Sequence, residues 1–395
     1  MTAEQSNLKG GMDFSLTPEQ EEYRDAVLTF ARRVLGGDVG LRDQAGEFSR
    51  DLWRECAEFG IQGLPFPSEY GGGDADVLTT MVAMEALGYA CRDQGLLFSI
   101  HAHMWSVAMP LLTFGTDEQK HRFMPPLCDG RWVAAHGMSE PDSGSDAFAL
   151  RTRAERRGSA FVLNGTKMFV TNAPHADLFM VFATTNPERK MWGVTGFLIE
   201  RDTPGLTVSP PIAKLGLTTS PMAEVVLEDC EVPEANLLGK VGQGATIFSH
   251  SMGWERSCIL ASTVGRLERQ FETCLSYAKT REQFGRPVGD FQLVASRIVD
   301  MKMRLETARL VLRRAAWLQS RGELNALEAA MAKLYISEAA VQSSLDAIQI
   351  HGGYGYMKEY DVERDLRDSI GSRLYSGTSE IQRLIMARGL GLSPG

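Results

Sequence analysis

Apolar residues recur at helical spacing through the first third of the chain. Thr17-Pro18-Glu19-Gln20 announces the first helix: Thr17 suits the N-cap, Pro18 the first helical position, and Gln20 completes a capping box. Tyr23, Val27, Phe30, Ala31 and Val34 then share one face until Gly36-Gly37 ends it. Similar stripes predict helices over 51–59, 78–89 and 99–112. Thr116 caps a short further helix, which Pro125-Pro126 should stop.

From about residue 132 the period changes. Residues 161–171 read as two apolar runs joined by Asn164-Gly165, a hairpin signal, and 177–184, 196–201, 206–209 and 224–227 follow as short strands. After Gly242-Gln243-Gly244 the helical period returns over 245–280, 292–320 and 324–349, with breaks at 284–289 and 321–322. A last helix covers 378–388. The pattern predicts an α+β multidomain chain: a helical domain (14–131), a β-sandwich or barrel (132–243) and a C-terminal helical bundle (244–392).

Composition narrows the function classes. With 44% hydrophobic and 23% charged residues the balance is that of a soluble globular protein. A net charge of −9 argues against nucleic acid or anionic membranes as partners. No apolar run is read as a membrane span, and polar Met1–Gly11 lacks the apolar core of a secretory signal. The six cysteines form no CxxC pair, the usage of a reduced, cytoplasmic protein. His101-Ala102-His103 has no metal-site spacing, and HExxH, P-loop and GxSxG motifs are absent.

Four stretches carry candidate chemistry. Met138-Ser-Glu-Pro-Asp-Ser-Gly-Ser-Asp146 is a hydroxyl-rich loop at the entry to the β block. Arg281-Glu-Gln-Phe-Gly-Arg-Pro287 breaks the bundle with two arginines, whose planar donor forks suit phosphate. Gln349-Ile-His-Gly-Gly-Tyr-Gly-Tyr356 has three glycines within four residues, more than a helix stop needs, where backbone is able to approach a ligand closely. Arg373-Leu-Tyr-Ser-Gly-Thr-Ser-Glu-Ile-Gln-Arg383 is a small-residue turn running into a helix, with Ser379 and Gln382 spaced as a capping box; such a helix start offers free N–H groups to an anionic or carbonyl ligand. One single residue stands out as well. Phe248, Met252, Ile259 and Thr263 mark an apolar stripe, and Glu255 falls on it. A carboxylate there is either ion-paired, with Arg256 or an arginine of the next helix, or functional; desolvation would make it a better base at neutral pH.

Taken together and in this order, the stretches resemble the acyl-CoA dehydrogenase family of flavoproteins. Lys167-Met-Phe-Val-Thr-Asn172 is a fifth collinear match, and the similarity runs from about Leu16 to Leu390. The resemblance implies an N-terminal helical domain, a central β-domain, a C-terminal four-helix bundle, and FAD bound between the last two. It implies that Met138, Ser139, Ser145, Phe169 and Thr171 line the flavin, with Phe169 where many relatives have Trp. It assigns Arg281, Phe284, Gln292, Gln349, Gly352 and Gly353 to the FAD of a neighbouring subunit in a homodimer or homotetramer, and gives Thr378 and Glu380 FAD contacts.

Where most relatives carry a catalytic Glu in the turn, this chain has Ser376. A minority branch places the base on a bundle helix in a Glu-Arg pair, and Glu255-Arg256 stands there. The resemblance then implies that Glu255 removes the α-proton of an acyl thioester while the Ser376 backbone N–H polarises its carbonyl. Ser145, Ser220, Arg256 and Gly377 are the implied substrate contacts. Gly253 replaces an Asp that touches the CoA pantetheine in many relatives, so the thioester sits either on CoA or on an acyl carrier protein, as in proline-oxidising relatives. Electrons leave to an electron-transfer flavoprotein or, in an oxidase, to oxygen. A scaffold subunit without catalysis is the alternative from another class.

Overall fold

The computed structural model describes residues 15–37 and 39–393, so Met1–Gly11 lies outside the described residues. The first helices are α1 (Pro18–Val34), α2 (Val39–Ala45), α3 (Arg50–Glu58), α4 (Val77–Ala90), α5 (Gln94–His101), α6 (Met109–Phe114) and α7 (Asp117–Cys128). The Thr17 capping box on α1 is complete: Gln20 N–H donates to the Thr17 hydroxyl (3.2 Å) and Thr17 N–H to Gln20 Oε1 (3.1 Å). Ala102–Ala108 is a π segment joining α5 to α6. The continuous run Gln94–Phe114 is long and apolar enough to cross a membrane by length and composition, but 83% of its apolar window is buried inside the protein, the burial of a core helix. Pro125 and Pro126 lie within α7 instead of stopping it. They fall in its last turn, where each forgoes only the bond to the carbonyl four residues back, while Asp129 N–H still donates to Pro125 O (3.0 Å).

The strands are β1 (Ala134–Gly137), β2 (Arg153–Arg157), β3 (Ala160–Thr171), β4 (Leu178–Thr184), β5 (Val194–Glu200), β6 (Leu206–Val208), β7 (Met222–Pro233) and β8 (Leu237–Leu238). They form one mixed sheet in the order β6-β7-β3-β2-β4-β5-β8, with β1 parallel to β4. Phe161 of β3 meets Phe197 of β5 edge-on at 5.3 Å although two strands separate them, so the sheet curls around its own core. Asn164-Gly165 is not a hairpin turn. β3 runs straight through it, and the turn lies earlier, at Gly158-Ser159. Tertiary pairing decides: Asn164 trades hydrogen bonds with Asp229 on β7, and the register against β7 shifts between Leu163 and Gly165. A Cβ on Gly165 would meet Thr152 Oγ1 at 2.5 Å, so glycine is required there for a close approach.

The C-terminal helices are α8 (Gly244–Cys258), α9 (Ala261–Thr280), α10 (Gln292–Ser320), α11 (Ala326–His351), α12 (Val362–Gly371) and α13 (Ser379–Gly389), with a small hairpin β9 (Glu282–Gln283) and β10 (Arg286–Pro287) after α9. The single helix expected over 245–280 breaks at Ile259-Leu260, where Leu260 leaves helical geometry (φ −96°, ψ 11°). α4 and α9 touch backbone to backbone: a Cβ on Gly88 would lie 1.8 Å from Ser262 O, and one on Gly265 1.8 Å from Glu85 O. One buried core therefore joins both helical blocks, with Leu87, Ile100 and Trp105 packed among Leu260, Val264, Leu305 and Ile336.

Candidate active site

α8 carries Glu255 on the stripe the sequence predicts: Met252, Glu255 and Ile259 are all buried, Glu255 at 6% exposure. No ion pair reaches its carboxylate among the described residues; its short partner is the Ser376 hydroxyl, which donates to Oε2 at 2.6 Å. Ser251 Oγ lies 3.4 Å from Oε1. Burial raises the Glu255 pKa above the ordinary carboxylate value, opposed by the hydroxyls of Ser376 and Ser106 and by the nearby Arg256 charge. Arg256 turns its Nε to the Ser376 carbonyl (3.2 Å) instead of pairing with Glu255.

The Tyr375-Ser376-Gly377-Thr378 turn sits against this helix. Its backbone is unusual, with Ser376 at φ 55° and Gly377 at φ 90°. The N-cap of α13 is Thr378, whose hydroxyl accepts from Ile381 N–H (3.3 Å), so the Ser379–Gln382 capping box does not form. Gln382 instead donates to the Ser376 (3.1 Å) and Gly377 (2.8 Å) carbonyls, and Ser379 donates to Glu338 Oε1 (2.6 Å). Lys333 of α11, fully buried, donates to Gly377 O at 2.7 Å. Burial pulls its ammonium down to about 7. Sequence reading missed Lys333; a lysine among the alanines of a bundle helix was the available signal.

Beyond Ile259 lies a cavity of about 10 Å³, room for one water. Phe98, Ile259, Ser262, Arg266, Asp368 and Tyr375 are among its walls, and Phe98 packs on the Tyr375 ring at 4.5 Å. Burial pushes the Asp368 carboxyl up to about 6.

The β block meets α5, whose Phe98 lines that cavity, through Ser220, whose Oγ is 2.7 Å from Ser99 Oγ, and through Asn172, which donates to Ser99 O (3.0 Å). Met138 is buried, Ser139 half-buried and Ser145 exposed. Their loop is anchored by fully buried Lys167, which donates to Met138 O (3.2 Å) and pairs with Glu140 (2.7 Å). Burial alone would raise the Glu140 carboxyl, but the Lys167 charge and hydrogen bond hold it below the ordinary value. Thr171 is half-buried, while Phe169, at φ 58°, is 59% exposed.

The remaining predicted residues gather at another place on the bundle. The Arg281 guanidinium lies over the Tyr354 ring (5.6 Å), which brings the 281–287 loop beside the Gly352-Gly353 loop. A Cβ on either glycine would meet nothing within 4 Å, and Phe284 is 91% exposed. Gln292 and Gln349 are exposed too. No hydrogen bond, ion pair or ring contact among the described residues joins this group to Glu255 or Ser376. Glu380 is exposed at the start of α13.

Three family descriptions match in sequence: acyl-CoA dehydrogenase N-terminal domain over 17–131, middle domain over 135–230 and C-terminal domain over 242–391. An L-prolyl-[peptidyl-carrier protein] dehydrogenase of Pseudomonas fluorescens is 45% identical over 382 residues, 96% of this chain and all of that one. Among solved structures, the prolyl acyl carrier protein oxidase AnaB superposes with a TM-score of 0.95 at 50% identity, covering 96% of this chain and 100% of that one. PigA with FAD and proline gives 0.94 at 43%, covering 96% and 100%. With all three domains matched in order and relatives similar over nearly their whole length, this chain belongs to the acyl-CoA dehydrogenase family.

Proposed function

We propose that this chain is an FAD-dependent α,β-dehydrogenase of a small acyl thioester, that the acyl group is prolyl-like and tethered to a carrier protein, and that Glu255 is the base. The observation that carries the reading is a buried carboxylate without an ion pair, hydrogen-bonded to the turn where most relatives keep their own carboxylate. The carrier reading is supported by Gly253 and Trp254 in place of a pantetheine-binding Asp, and by the prolyl-carrier relatives. The cavity beyond Ile259 has room for only one water and is walled in part by buried Arg266 and Asp368, which speaks against a long hydrocarbon tail running there.

The residues present fit FAD: an exposed arginine beside open glycine backbone suits a pyrophosphate, and the exposed rings of Phe169 and Phe284 offer apolar faces to flat rings. When bound, FAD supplies the acceptor for the β-hydride. Met138, Ser139, Ser145, Phe169, Thr171, Thr378 and Glu380 line it from one subunit. Arg281, Phe284, Gln292, Gln349, Gly352 and Gly353 reach it from a second, which makes the enzyme a homodimer or a homotetramer. Exposed Leu293, Val299 and Met303 on α10 support such an interface.

Glu255 takes the α-proton in its ionised state. The Ser376 N–H donates to the thioester carbonyl as negative charge develops there, with Ser220, Arg256 and Gly377 at its borders. Six buried, unpaired cysteines agree with a cytoplasmic location. Electrons pass on to an electron-transfer flavoprotein or to oxygen, and hydrogen peroxide released during turnover separates the two.

The test is anaerobic stopped-flow reduction of the flavin by a prolyl-carrier thioester. Glu255→Gln should slow it at least about a hundredfold; reduction at near wild-type rate would overturn the assignment.

A further inference from the structure

Ser376 occupies a backbone conformation that a side chain disfavours. At φ 55° a non-glycine residue is strained, and glycine would relieve it, as it does next door at Gly377. Such an outlier persists only where its surroundings over-determine it. Here three side chains do so, through four hydrogen bonds. Arg256 Nε and Gln382 Nε2 hold the Ser376 carbonyl (3.2 and 3.1 Å), while Gln382 Nε2 and Lys333 Nζ hold that of Gly377 (2.8 and 2.7 Å). They come from three different helices, α8, α11 and α13, so the turn has no freedom to relax. The one thing a side chain at position 376 gains is the 2.6 Å bond of its hydroxyl to Glu255 Oε2.

We propose that Ser376 is a positioning residue for the reaction: its hydroxyl, aimed by a carbonyl clamp of Arg256, Lys333 and Gln382, fixes the rotamer of the Glu255 carboxylate and sets the pH range in which that carboxylate is ionised. The inference rests on the assignment of Glu255 as base. A donor to the charged form favours ionisation and works against the burial that raises the Glu255 pKa. The titratable and charged groups that face the carboxylate are Arg256 on its own helix and Tyr375 in the turn, with the hydroxyls of Ser251 on α8 and Ser106 in the π segment; Lys333 on α11 lies behind the turn and faces Arg256. None of these replaces the Ser376 bond, because Arg256 and Lys333 are committed to carbonyls.

Ser376→Ala keeps the Cβ and the backbone and removes the hydroxyl alone. In the FAD-loaded enzyme the acid limb of flavin reduction against pH should move up by about one unit, since the lost bond is one to a charged group. The plateau rate should fall about tenfold from lost orientation. Infrared difference titration reads the same shift without turnover, from the protonated-carboxyl band of Glu255, with Glu255→Gln as the blank. Lys333→Met should reproduce the loss of rate in part by loosening the clamp. If Ser376→Ala leaves both the acid limb and the carboxyl band in place while Glu255→Gln is inactive, the positioning role is wrong and the base stands. If Glu255→Gln reduces its flavin normally, the base assignment itself has failed.

Discussion

Lys167→Met tests whether a buried ion pair holds the Met138–Asp146 loop in place. Lys167 is fully buried, and its Nζ bonds both Glu140 Oε1 (2.7 Å) and Met138 O (3.2 Å). Methionine fills nearly the same volume but strands a carboxylate that is itself 5% exposed. Breaking a buried pair in this way costs ~3–5 kcal/mol. Glu140 keeps two backbone donors, Arg151 N–H (2.6 Å) and Thr152 N–H (3.1 Å), which places the loss near the lower end, about 3 kcal/mol. At about 2 °C per kcal/mol or less for a chain of this size, the flavin-loaded protein should melt roughly 5 °C lower. The pH dependence has a definite sign. In the parent, Lys167 depresses the Glu140 pKa, so the contribution is complete above about 4.5 and is lost as pH falls through the lower folded value. In the variant the carboxyl has no cation, its folded pKa rises, and protonation relieves the penalty. Burial lowers Lys167 itself to about 8, so the comparison starts below that value, and the gap between parent and variant must narrow from pH 7 to pH 5. Adding Glu140→Gln should restore part of the loss: it removes the stranded charge, but its single amide oxygen accepts from only one of the two N–H groups, which in the parent reach different carboxylate oxygens. Melting followed by tryptophan and flavin fluorescence reads all three proteins. A single variant that melts with the parent, or a double variant that melts no higher than the single, refutes the reasoning.

Other consequences follow from the same geometry. Because burial raises the Glu255 pKa and the proposed base reacts in its ionised form, flavin reduction should begin to fail on the acid side at a pH above the ordinary glutamate value of 4.5; a limb at or below that value contradicts the proposal. Gly265→Ala drives a methyl into Glu85 O at 1.8 Å and should destabilise the fold by ~1–3 kcal/mol, whereas Gly253→Ala, which meets nothing within 4 Å on α8, should raise stability by up to about 1 kcal/mol in urea unfolding. Octanoyl thioesters should reduce the flavin poorly, since the Phe98–Tyr375 contact and buried Arg266 and Asp368 close the space beyond Ile259; Phe98→Ala should improve them relative to a prolyl thioester in a competition assay.

Much of the fold was legible because hydrophobic period reports burial directly, and burial is what separates the helical blocks from the β block. The failures occurred where long-range contacts overrode local preference. Asn164-Gly165 has the residues of a tight turn, yet Asp229 on β7 engages the asparagine side chain and keeps the strand extended. The break at Ile259-Leu260 carries no glycine or proline, and α4 packs backbone to backbone against the helix that follows it. Ser379 and Gln382 have capping-box spacing, but Thr378 takes the cap and Gln382 is drawn to the carbonyls of the preceding turn.

The site divides in the same way. Glu255 was visible because its own helix condemns it: an acid on an apolar stripe needs a reason. Ser376 was readable only as an absence, the missing carboxylate of the turn, because nothing in a local sequence says where a hydroxyl points. Its bond to Glu255 joins residues 121 positions apart and exists only when α8, α11 and α13 converge on one turn. In the proposed assignment the base stands on a helix, outside the turn proposed to hold the thioester carbonyl, so base and carbonyl donor do not belong to one rigid peptide. Something has to hold the two in register. The serine hydroxyl spans that gap, and its own placement depends on the clamp that strains the turn.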